Sequence, residues 1–372
     1  MQSPEMHEPM QHEIRGVSIV IPNYNYGRFI GEAIDSALAQ THPLVEVIVV
    51  DDGSTDDSRA VIERYGERVT AIFQANAGQN AACAAGFARA HFDLVVFVDS
   101  DDVLLPEAAA TIAAHWRPGT AKLQFKLETI DGAGRRTGFR WPKYPDAMAP
   151  ERVSSELLST GAYPSPPTSG NAYARHLLDA ATPFEGHSFV DSVVNTIAPL
   201  YGEVHTLDAV LALYRVHGSN NWAQQTMTPE RFAYYAASER RRMAILATHC
   251  ARLDRPFAGP GVIENALYLR EVELVRSKLA RGGGIRDLAG NGIRAIRVAL
   301  AQPGGGTHRL LRAAWAAAVA VAPRKLAERL IAMRFVQAAR PRLAERLISR
   351  LERRPAARRP PTKPAPAGKF TA

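Results

Sequence analysis

The sequence predicts an α/β fold, with a mostly parallel sheet flanked by helices and a helical C-terminal region behind it. Short apolar runs alternate with helical patterns over residues 16–115, which is the order of a parallel sheet with crossover helices. The runs are continuously apolar, as in strands that are covered on both faces. Polar clusters end three of the four runs, where ligands bind in such folds.

The elements of the first part of the chain follow from periodicity. Four apolar runs are predicted as strands: 17–21, 45–50, 69–73 and 94–98. Helices are predicted in the intervals between them, over 28–40, from about 54, and over 78–91. In the first helix, Phe29, Ala33 and Ala37 recur at helical spacing. The second is predicted to be capped by Ser54, with Asp56 in the first turn, where the helix dipole favours negative charge.

The periodicity loosens after residue 115. Residues 120–145 are predicted to form strands joined by a turn at Asp131-Gly132, and residues 170–215 to mix helix and strand. From about residue 228 the chain is predicted to be helical, in segments near 228–253, 260–281 and 285–301.

Composition limits the class of protein. Of the 372 residues, 46% are hydrophobic and 22% charged, which is typical of a globular chain and excludes a disordered or collagen-like one. The two cysteines, Cys83 and Cys250, are too few for a disulfide scaffold. The N-terminus lacks the apolar core of a secretory signal, and no uncharged apolar run reaches the length of a spanning helix, about 18 residues. We therefore expect a cytoplasmic protein.

The polar clusters at the strand ends indicate chemistry. They are Pro22–Asn25, Asp51–Ser54 and Asp99–Asp102, and they should converge at one edge of the sheet. Their carboxylates would repel an anionic ligand unless a cation intervened, and carboxylate oxygens suit Mg²⁺ or Mn²⁺, which bridge phosphates. The pattern favours a metal-assisted nucleotide-diphosphate site over the alternative that each cluster only caps a helix. No Gly-x-Gly-x-x-Gly follows the first strand and no Walker-type Gly-Lys-Ser/Thr occurs, so neither common nucleotide motif applies.

Three motifs, in this order and spacing, carry a resemblance to a known family. They are Val-Ser-Ile-Val-Ile-Pro-Asn-Tyr-Asn from Val17, Val-Ile-Val-Val-Asp-Asp-Gly-Ser-Thr-Asp from Val47, and Phe-Val-Asp-Ser-Asp-Asp from Phe97. The stretch from about Val17 to Trp222 resembles the family 2 inverting glycosyltransferases, which have a GT-A fold with a Rossmann-like sheet. The resemblance implies transfer of a sugar, of hexosyl type, from a nucleotide-diphosphate sugar to a hydroxyl acceptor, with a UDP-sugar favoured.

The resemblance also implies roles on the donor side. The residues concerned are Pro22, Asn23 and Tyr24 at the nucleobase, Asp51 and Asp52 hydrogen-bonding the base, Gly78 and Gln79 beneath the sugar nucleotide, and Asp99 near the ribose. Asp101 is implied as a ligand of Mn²⁺ or Mg²⁺, followed by Asp102 and His217. The chain departs from a common pattern of the family in one place, because Cys83-Ala84 stand where many members have Arg-Asn.

On the acceptor side, an inverting transfer needs a base that deprotonates the attacking hydroxyl, and a carboxylate serves. The acidic pair of the family is Val190-Asp191 here, so the resemblance implies Asp191 as the base; the alternative is that Asp191 only caps the following helix. Thr168, Ser169 and Asn171 are implied on the acceptor or diphosphate side, although Pro-Pro-Thr-Ser-Gly-Asn is equally a plain turn. Arg215 is implied near the diphosphate, and His217 has a structural hydrogen bond as its alternative.

Basic residues concentrate at the end of the chain. From Arg309 onward there are 16 Lys and Arg against 3 Asp and Glu, whereas the preceding residues are mildly acidic. Leucine and isoleucine recur at helical spacing among the arginines of 324–351, which suits an anionic membrane surface. We expect a peripheral protein on the inner face of the cell membrane, acting on a lipid-linked or cell-surface precursor in cell-envelope polysaccharide biosynthesis. Packing on the protein itself is the alternative, and nucleic acid is not expected because interleaved aromatics are missing.

The expected organisation has five segments. They are a flexible arm (1–15), the GT-A catalytic domain (16–225), a helical extension (226–302), a basic amphipathic helical region (303–354) and a disordered tail (355–372). Two other functions compete with an active transferase. One is a catalytically degenerate nucleotide- or glycan-binding module docked on the membrane, which the missing Arg-Asn would suit. The other is a membrane-docked scaffold, against which the intact carboxylates at three strand ends argue.

Overall fold

The computed structural model describes residues 16–144, 148–184, 190–217, 227–256, 266–280, 284–302 and 306–335. The predicted arm over 1–15 and the tail over 355–372 lie outside these residues, as does the part of the basic region beyond Phe335. Contacts between residues divide the chain into two compact units, Met1–Arg276 and Ser277–Ala372.

The first four strands form the parallel part of the sheet. They are β1 (Val17–Asn23), β2 (Val45–Asp51), β3 (Thr70–Phe73) and β4 (Leu94–Phe97), in the spatial order β3-β2-β1-β4. Val17 lies opposite both Val45 and Leu94, so β1 is paired on each side by a parallel neighbour. All four predicted strands are confirmed. The register brings the carboxyl ends of β1, β2 and β4 to the same edge.

The remaining strands extend the sheet with mixed directions. They are β5 (Val103–Leu104), β6 (Thr120–Asp131), β7 (Arg136–Trp141), β8 (Asn171–Ala174) and β9 (Glu203–Val216). The order continues from β4 as β8-β6-β9-β5, with β7 on the side of β6; β8 is antiparallel to both its neighbours, and β6 is parallel to β9. The mostly parallel character therefore belongs to the first four strands. Because β8 runs antiparallel to β4, the residues just before β8 lie at the edge where β4 ends.

Helices of the first unit cover both faces of the sheet. In chain order, the helices of this part are α1 (Gly27–Leu38), α2 (Ser58–Glu63), α3 (Gln79–Arg89), α4 (Ala108–His115), α5 (Pro150–Thr160), α6 (Arg175–Ala181), α7 (Val190–Tyr201), α8 (Pro229–Arg252) and α9 (Leu267–Leu279), the last of which continues past Arg276 into the second unit. Alternate residues of β1 face opposite cores: Ile19 packs in the cluster that contains Ile30 of α1, and Val20 in the cluster that contains Phe87 of α3. A Cβ on Gly86 would approach Val20 Cγ1 to 2.3 Å, so glycine allows α3 to pack closely on the sheet.

One predicted helix start was wrong. The helix after β2 begins at Ser58 rather than after Ser54. The Ser54 hydroxyl instead donates to Asp51 Oδ1 (2.6 Å) and accepts from the backbone amide of Asn25 (2.9 Å). These bonds join the ends of β1 and β2, and they compete with helix capping for the same side chain.

The second unit is helical. Its described helices are α10 (Ile285–Ala301), α11 (Gly306–Val321) and α12 (Arg324–Phe335), the first of which matches the predicted segment 285–301. Trp315 of α11 donates from Nε1 to the carbonyl oxygen of Leu330 (3.0 Å), which ties α11 to α12. In the ranges that the structure describes, no helix is both long and apolar enough to cross a membrane.

Candidate active site

A pocket of about 380 Å³ lies beyond the carboxyl ends of β1, β2 and β4. Its lining combines backbone-rich loops with carboxylates and aromatic rings: Pro22, Asn23, Tyr24, Tyr26, Asp52, Asn76, Gly78, Gln79, Ala82, Asp99, Ser100, Asp101, Pro167, Thr168, Asp191 and Tyr214. The three strand-end clusters therefore converge, as the fold class predicts, and Asp191 joins them from α7. Six of the predicted site residues do not line the pocket: Asp51, Asp102, Ser169, Asn171, Arg215 and His217.

Asp51 and Asp52 are adjacent but differ in what they contact. Asp51 is buried and accepts from Asn23 Nδ2 (2.8 Å) and from the Ser54 hydroxyl, so it holds the ends of β1 and β2 together. Asp52 faces the pocket and accepts from Gln74 Nε2 (2.7 Å) and from the amides of Ala77 (2.9 Å) and Gly78 (2.7 Å). An ionised carboxylate offers about four acceptor positions, so Asp52 retains capacity for a further donor such as a base N–H.

The loop before α3 is shaped by a glycine. Gly78 has φ 90°, a conformation that glycine adopts without the strain of a Cβ, and it immediately precedes α3. Gln79 then extends Nε2 to Asp99 Oδ1 (2.9 Å). The loop therefore joins the ends of β2 and β4 across the pocket. Cys83, on the next turn of α3, is fully buried, and burial raises the pKa of its thiol.

The aspartates after β4 have three different environments. The side chain of Asp99 accepts a hydrogen bond from Gln79, and its backbone amide donates to Ser169 Oγ (3.0 Å). Asp101 Oδ2 lies 2.9 Å from His217 Nε2.

Asp102 is fully buried and accepts from the Ser169 hydroxyl (2.6 Å) and from the Arg215 amide (2.9 Å), one on each oxygen. Metal binding by Asp102 would have to displace one of these donors, whereas Asp101 reaches the pocket directly.

Burial sets the protonation tendency of this cluster. Removal from water raises the pKa of Asp99, Asp101 and Asp102, and repulsion from Asp101 raises it further for the other two. His217 opposes the increase at Asp101 through its hydrogen bond. Such a cluster favours a cationic ligand, because a bound cation would stabilise the ionised carboxylates.

Arg215 supports the cluster from behind. It is 1% exposed, and its guanidinium donates to the Asp101 carbonyl oxygen (2.7 Å) and to Glu32 Oε2 (2.5 Å). The ring of Phe29 lies under it, 5.0 Å from the guanidinium carbon. The structure therefore places Arg215 where it fixes the Asp101–Asp102 backbone rather than on the pocket lining.

The segment before β8 divides its contacts between pocket and scaffold. Thr168 lines the pocket and hydrogen-bonds Asp99, whereas the Ser169 hydroxyl bridges the Asp99 amide and Asp102. Asn171 donates from Nδ2 to the Pro167 carbonyl oxygen (2.7 Å) and so holds the turn closed.

Asp191 enters the pocket from the first turn of α7. Burial raises its pKa from 3.8 to about 6, against opposing contributions from the Ser192 amide and Lys122. Its Oδ1 accepts from the Ser192 amide at 2.8 Å. A carboxyl group with this pKa is ionised near neutral pH and can still accept a proton, as a general base requires.

Sequence reasoning gave no individual role to several lining residues, among them Tyr26, Ser100 and Tyr214. Tyr26 stacks edge-on against His217, with ring centroids 5.8 Å apart, and burial together with the nearby aspartates raises its pKa. One signal existed for Tyr26, since it continues the Pro-Asn-Tyr-Asn cluster after β1. Tyr214 stands beside Arg215 in the sequence, but no local pattern distinguishes it.

Some oxygen and nitrogen atoms at this site are suitable ligands for a divalent cation. Asp101 and His217 supply a carboxylate oxygen and an imidazole nitrogen, both compatible with Mn²⁺. Among the described residues, no group of three or more His, Cys, Asp or Glu is arranged to hold a metal ion. Cations that act on nucleotides often take only one or two protein carboxylates and complete their coordination with phosphate and water, so the residues present fit that mode.

The sequence is similar to one family model and to several known proteins. The family model for glycosyl transferase family 2 matches residues 18–145. A Nostoc sp. protein described as an uncharacterized glycosyltransferase is 38% identical over 217 residues, which are 55% of this chain and 66% of that protein. An undecaprenyl-phosphate 4-deoxy-4-formamido-L-arabinose transferase of Pseudomonas savastanoi is 30% identical over 223 residues, 57% of this chain and 62% of that protein. The chain thus spans less than two thirds of each relative's length.

Two solved structures are also similar. Residues 1–349 of TarS from S. aureus, in complex with UDP-GlcNAc, align with a TM-score of 0.47 and 19% identity over 82% of this chain and 90% of that one. A mannosyltransferase from Pyrobaculum calidifontis, in complex with GDP-Man and Mn²⁺, aligns with a TM-score of 0.46 and 19% identity over 85% of each chain.

Proposed function

The chain belongs to glycosyl transferase family 2, and from that premise we propose that it transfers a sugar, with inversion, from a nucleotide-diphosphate sugar to a hydroxyl group. A UDP-sugar is the favoured donor, and the proposed acceptor is a lipid-linked or cell-surface glycan precursor. One observation carries the proposal: a single pocket contains the strand-end carboxylates and, on its other side, a buried carboxyl group with a pKa of about 6.

On the donor side, the nucleobase would lie between Pro22, Asn23 and Tyr24, with Asp52 accepting a base N–H. Tyr24 is 45% exposed, so its ring is accessible for stacking on a base. Asp99 would accept from the ribose, because its side chain is held at the pocket wall by Gln79. Gly78 presents backbone without a side chain next to these groups and leaves room for the sugar nucleotide.

A divalent cation, Mn²⁺ or Mg²⁺, would be held by Asp101 with His217. It would supply neutralisation of the diphosphate charge that grows as the sugar departs. The protein's own contribution is positional: Arg215 holds the Asp101 backbone, and Asp102 anchors the Arg215 amide. We propose Asp102 as a support for this arrangement, and as a ligand only if Ser169 releases it.

The proposed base is Asp191. An inverting transfer requires attack from the face opposite the diphosphate, and Asp191 reaches the pocket from α7 rather than from the strand ends. Its carboxylate would take the proton of the acceptor hydroxyl as that oxygen bonds to the anomeric carbon. Thr168, which lines the pocket near Asp99, would help to orient the acceptor or the leaving diphosphate.

The acceptor proposal rests on the relatives and on charge. One similar protein is named as an undecaprenyl-phosphate 4-deoxy-4-formamido-L-arabinose transferase, a name that includes a lipid phosphate. The basic region over 303–354 would bring the pocket to an anionic membrane surface, where such acceptors reside. We therefore propose a peripheral association with the inner face of the cell membrane.

The test is nucleotide release by the full chain from a panel of UDP-sugars and GDP-mannose, with and without Mn²⁺. Wild type should release nucleotide from one donor, and Asp191→Asn should lower this turnover by roughly 10²–10⁴, the scale of a lost general base. Asp179→Asn, which removes the same charge from the exposed side of α6, is the matched control. Donor binding by wild type without any turnover would instead favour the degenerate binding module.

A further inference from the structure

A lysine is fully buried on β6, an inner strand of the sheet. Lys122 of β6 is 0% exposed, and its Nζ donates to Ser165 Oγ (2.7 Å), Gln124 Oε1 (3.0 Å) and Tyr163 OH (3.3 Å). Three acceptors match the three N–H groups of an ammonium ion. Lysine is almost never fully buried unless it is paired, so this position requires an explanation.

Two partners of Lys122, Tyr163 and Ser165, belong to the segment that leads into the pocket. Tyr163 OH donates to the Asn195 carbonyl oxygen (2.6 Å), one turn after Asp191 on α7. Gln124 Nε2 donates to the Pro164 carbonyl oxygen (3.1 Å). Pro167 and Thr168, a few residues further along the segment, line the pocket. Lys122 therefore connects β6 to the two elements that carry the acceptor-side residues.

The charge of Lys122 acts on Asp191. Burial lowers the pKa of Lys122, and Asp191 is the carboxylate that opposes this decrease. In return, Lys122 opposes the burial that raises the pKa of Asp191. No carboxylate of the described residues forms an ion pair with Lys122 at bonding distance.

The other titratable groups near Lys122 and Asp191 do not supply a positive charge to Asp191. The charge of Asp191 raises the pKa of Asp99, which follows β4, of Cys83 on α3 and of Tyr173 on β8. Tyr163 faces Lys122, and Arg242 of α8 acts on Tyr163 rather than on Asp191. Lys122 is thus the cation that acts on Asp191 within the described part of the chain.

We propose that Lys122 is a positioning residue for the transfer: its three hydrogen bonds fix the segment from Tyr163 to Thr168 against α7, the helix that carries Asp191. The proposal rests on the proposed function, because it gives Asp191 the role of base. It assigns to Lys122 no contact with either substrate.

The test is a ¹³C NMR titration of aspartate carboxyl groups in the full chain, with Asp191→Asn used to assign the Asp191 signal. In Lys122→Met the Asp191 midpoint should move to higher pH, by on the order of 1 unit, the effect of losing a nearby opposite charge. Lys126→Met is the matched control: it removes a lysine from the same strand that pairs with the exposed Asp208, and it should leave the midpoint in place.

The titration needs neither donor nor acceptor, so its result is separate from the nucleotide-release assay that tests the proposed function. If release is measurable, Lys122→Met should lower kcat, keep the donor KM, and move the acidic limb of the pH profile upward. An unchanged Asp191 midpoint in Lys122→Met would overturn the proposal. Should this variant not fold, Lys122→Gln carries the same expectation; if neither folds, Lys122 is a residue of the core alone and the proposal is wrong.

Discussion

Asp191→Asn should stabilise the protein while it lowers turnover. The pKa of Asp191 is raised from 3.8 to about 6 because the carboxyl group is largely removed from water. Between these two values the native state binds a proton that the unfolded chain has lost, so the free energy of unfolding falls as pH rises through this window. The shift of about 2 units corresponds to about 3 kcal/mol, at 1.36 kcal/mol per unit, and above about pH 6 the whole amount opposes folding.

Asparagine has the same shape and no charge to bury, so the variant should be more stable than wild type at pH 8, by up to about 3 kcal/mol. For a chain of 372 residues, with an unfolding entropy of about 2.1 cal/mol/K per residue, that amount raises Tm by roughly 4 °C. At pH 5 most of the wild-type carboxyl group is protonated and the difference should shrink. Thermal and urea unfolding at pH 5, 6, 7 and 8 would measure both trends.

Asp179→Asn serves as the control, because it removes the same charge at an exposed position and should change stability little at any pH. The reasoning is refuted if Asp191→Asn is no more stable than wild type at pH 8. It is also refuted if the gain is as large at pH 5 as at pH 8, since a pH-independent gain would come from packing.

Three further predictions concern the metal, the support behind it and the membrane. Asp101→Asn should abolish the Mn²⁺-dependent part of donor binding in calorimetry while the fold survives, and unchanged metal dependence would remove Asp101 from the metal site. Arg215→Met should cost about 1–3 kcal/mol in urea unfolding, because the buried Asp101 carbonyl oxygen loses its donor, and a loss near zero would contradict the supporting role. A chain ending at Phe335 loses 10 Lys and Arg against 2 Asp and Glu yet keeps all the described helices. It should therefore bind anionic vesicles less tightly than the full chain in sedimentation while its nucleotide release is retained; equal binding would place the membrane contact elsewhere.

Strands β1, β2 and β4 could be predicted because their runs are mostly apolar, a consequence of burial on both faces, whereas the edge strand β3 is only partly buried. The convergence of the three strand-end clusters followed from the same reasoning, since parallel strands end at one edge. The placement of β8 could not be predicted. Its four residues lie between β4 and β6, a pairing that is determined by contacts far apart in the sequence.

The site shows the same division between local and distant information. Asp99, Asp101 and Asp191 were predicted from motifs, and all three line the pocket. Arg215 was expected near the diphosphate. Its guanidinium instead lies behind the aspartates, where it donates to Glu32, a residue 183 positions away in the sequence. Ser54 was predicted as a helix cap because its local sequence fits that role, whereas its hydroxyl is bound by Asp51 at the end of β2.

In the absence of ligands, the carboxylates of the pocket lower the free energy of unfolding. This cost favours a ligand that stabilises their negative charge. Burial raises the pKa of Asp99, Asp101 and Asp191 together, so each opposes folding above its native pKa. Neutral side chains at these positions would not carry this pH-dependent cost. In the proposed arrangement, a ligand that brings a divalent cation next to Asp101 and hydrogen-bond donors next to Asp99 would reverse the penalty at those two groups. Asp191 would keep its raised pKa if the cation stays on the diphosphate side, and its proposed role as the base for an acceptor hydroxyl requires this arrangement.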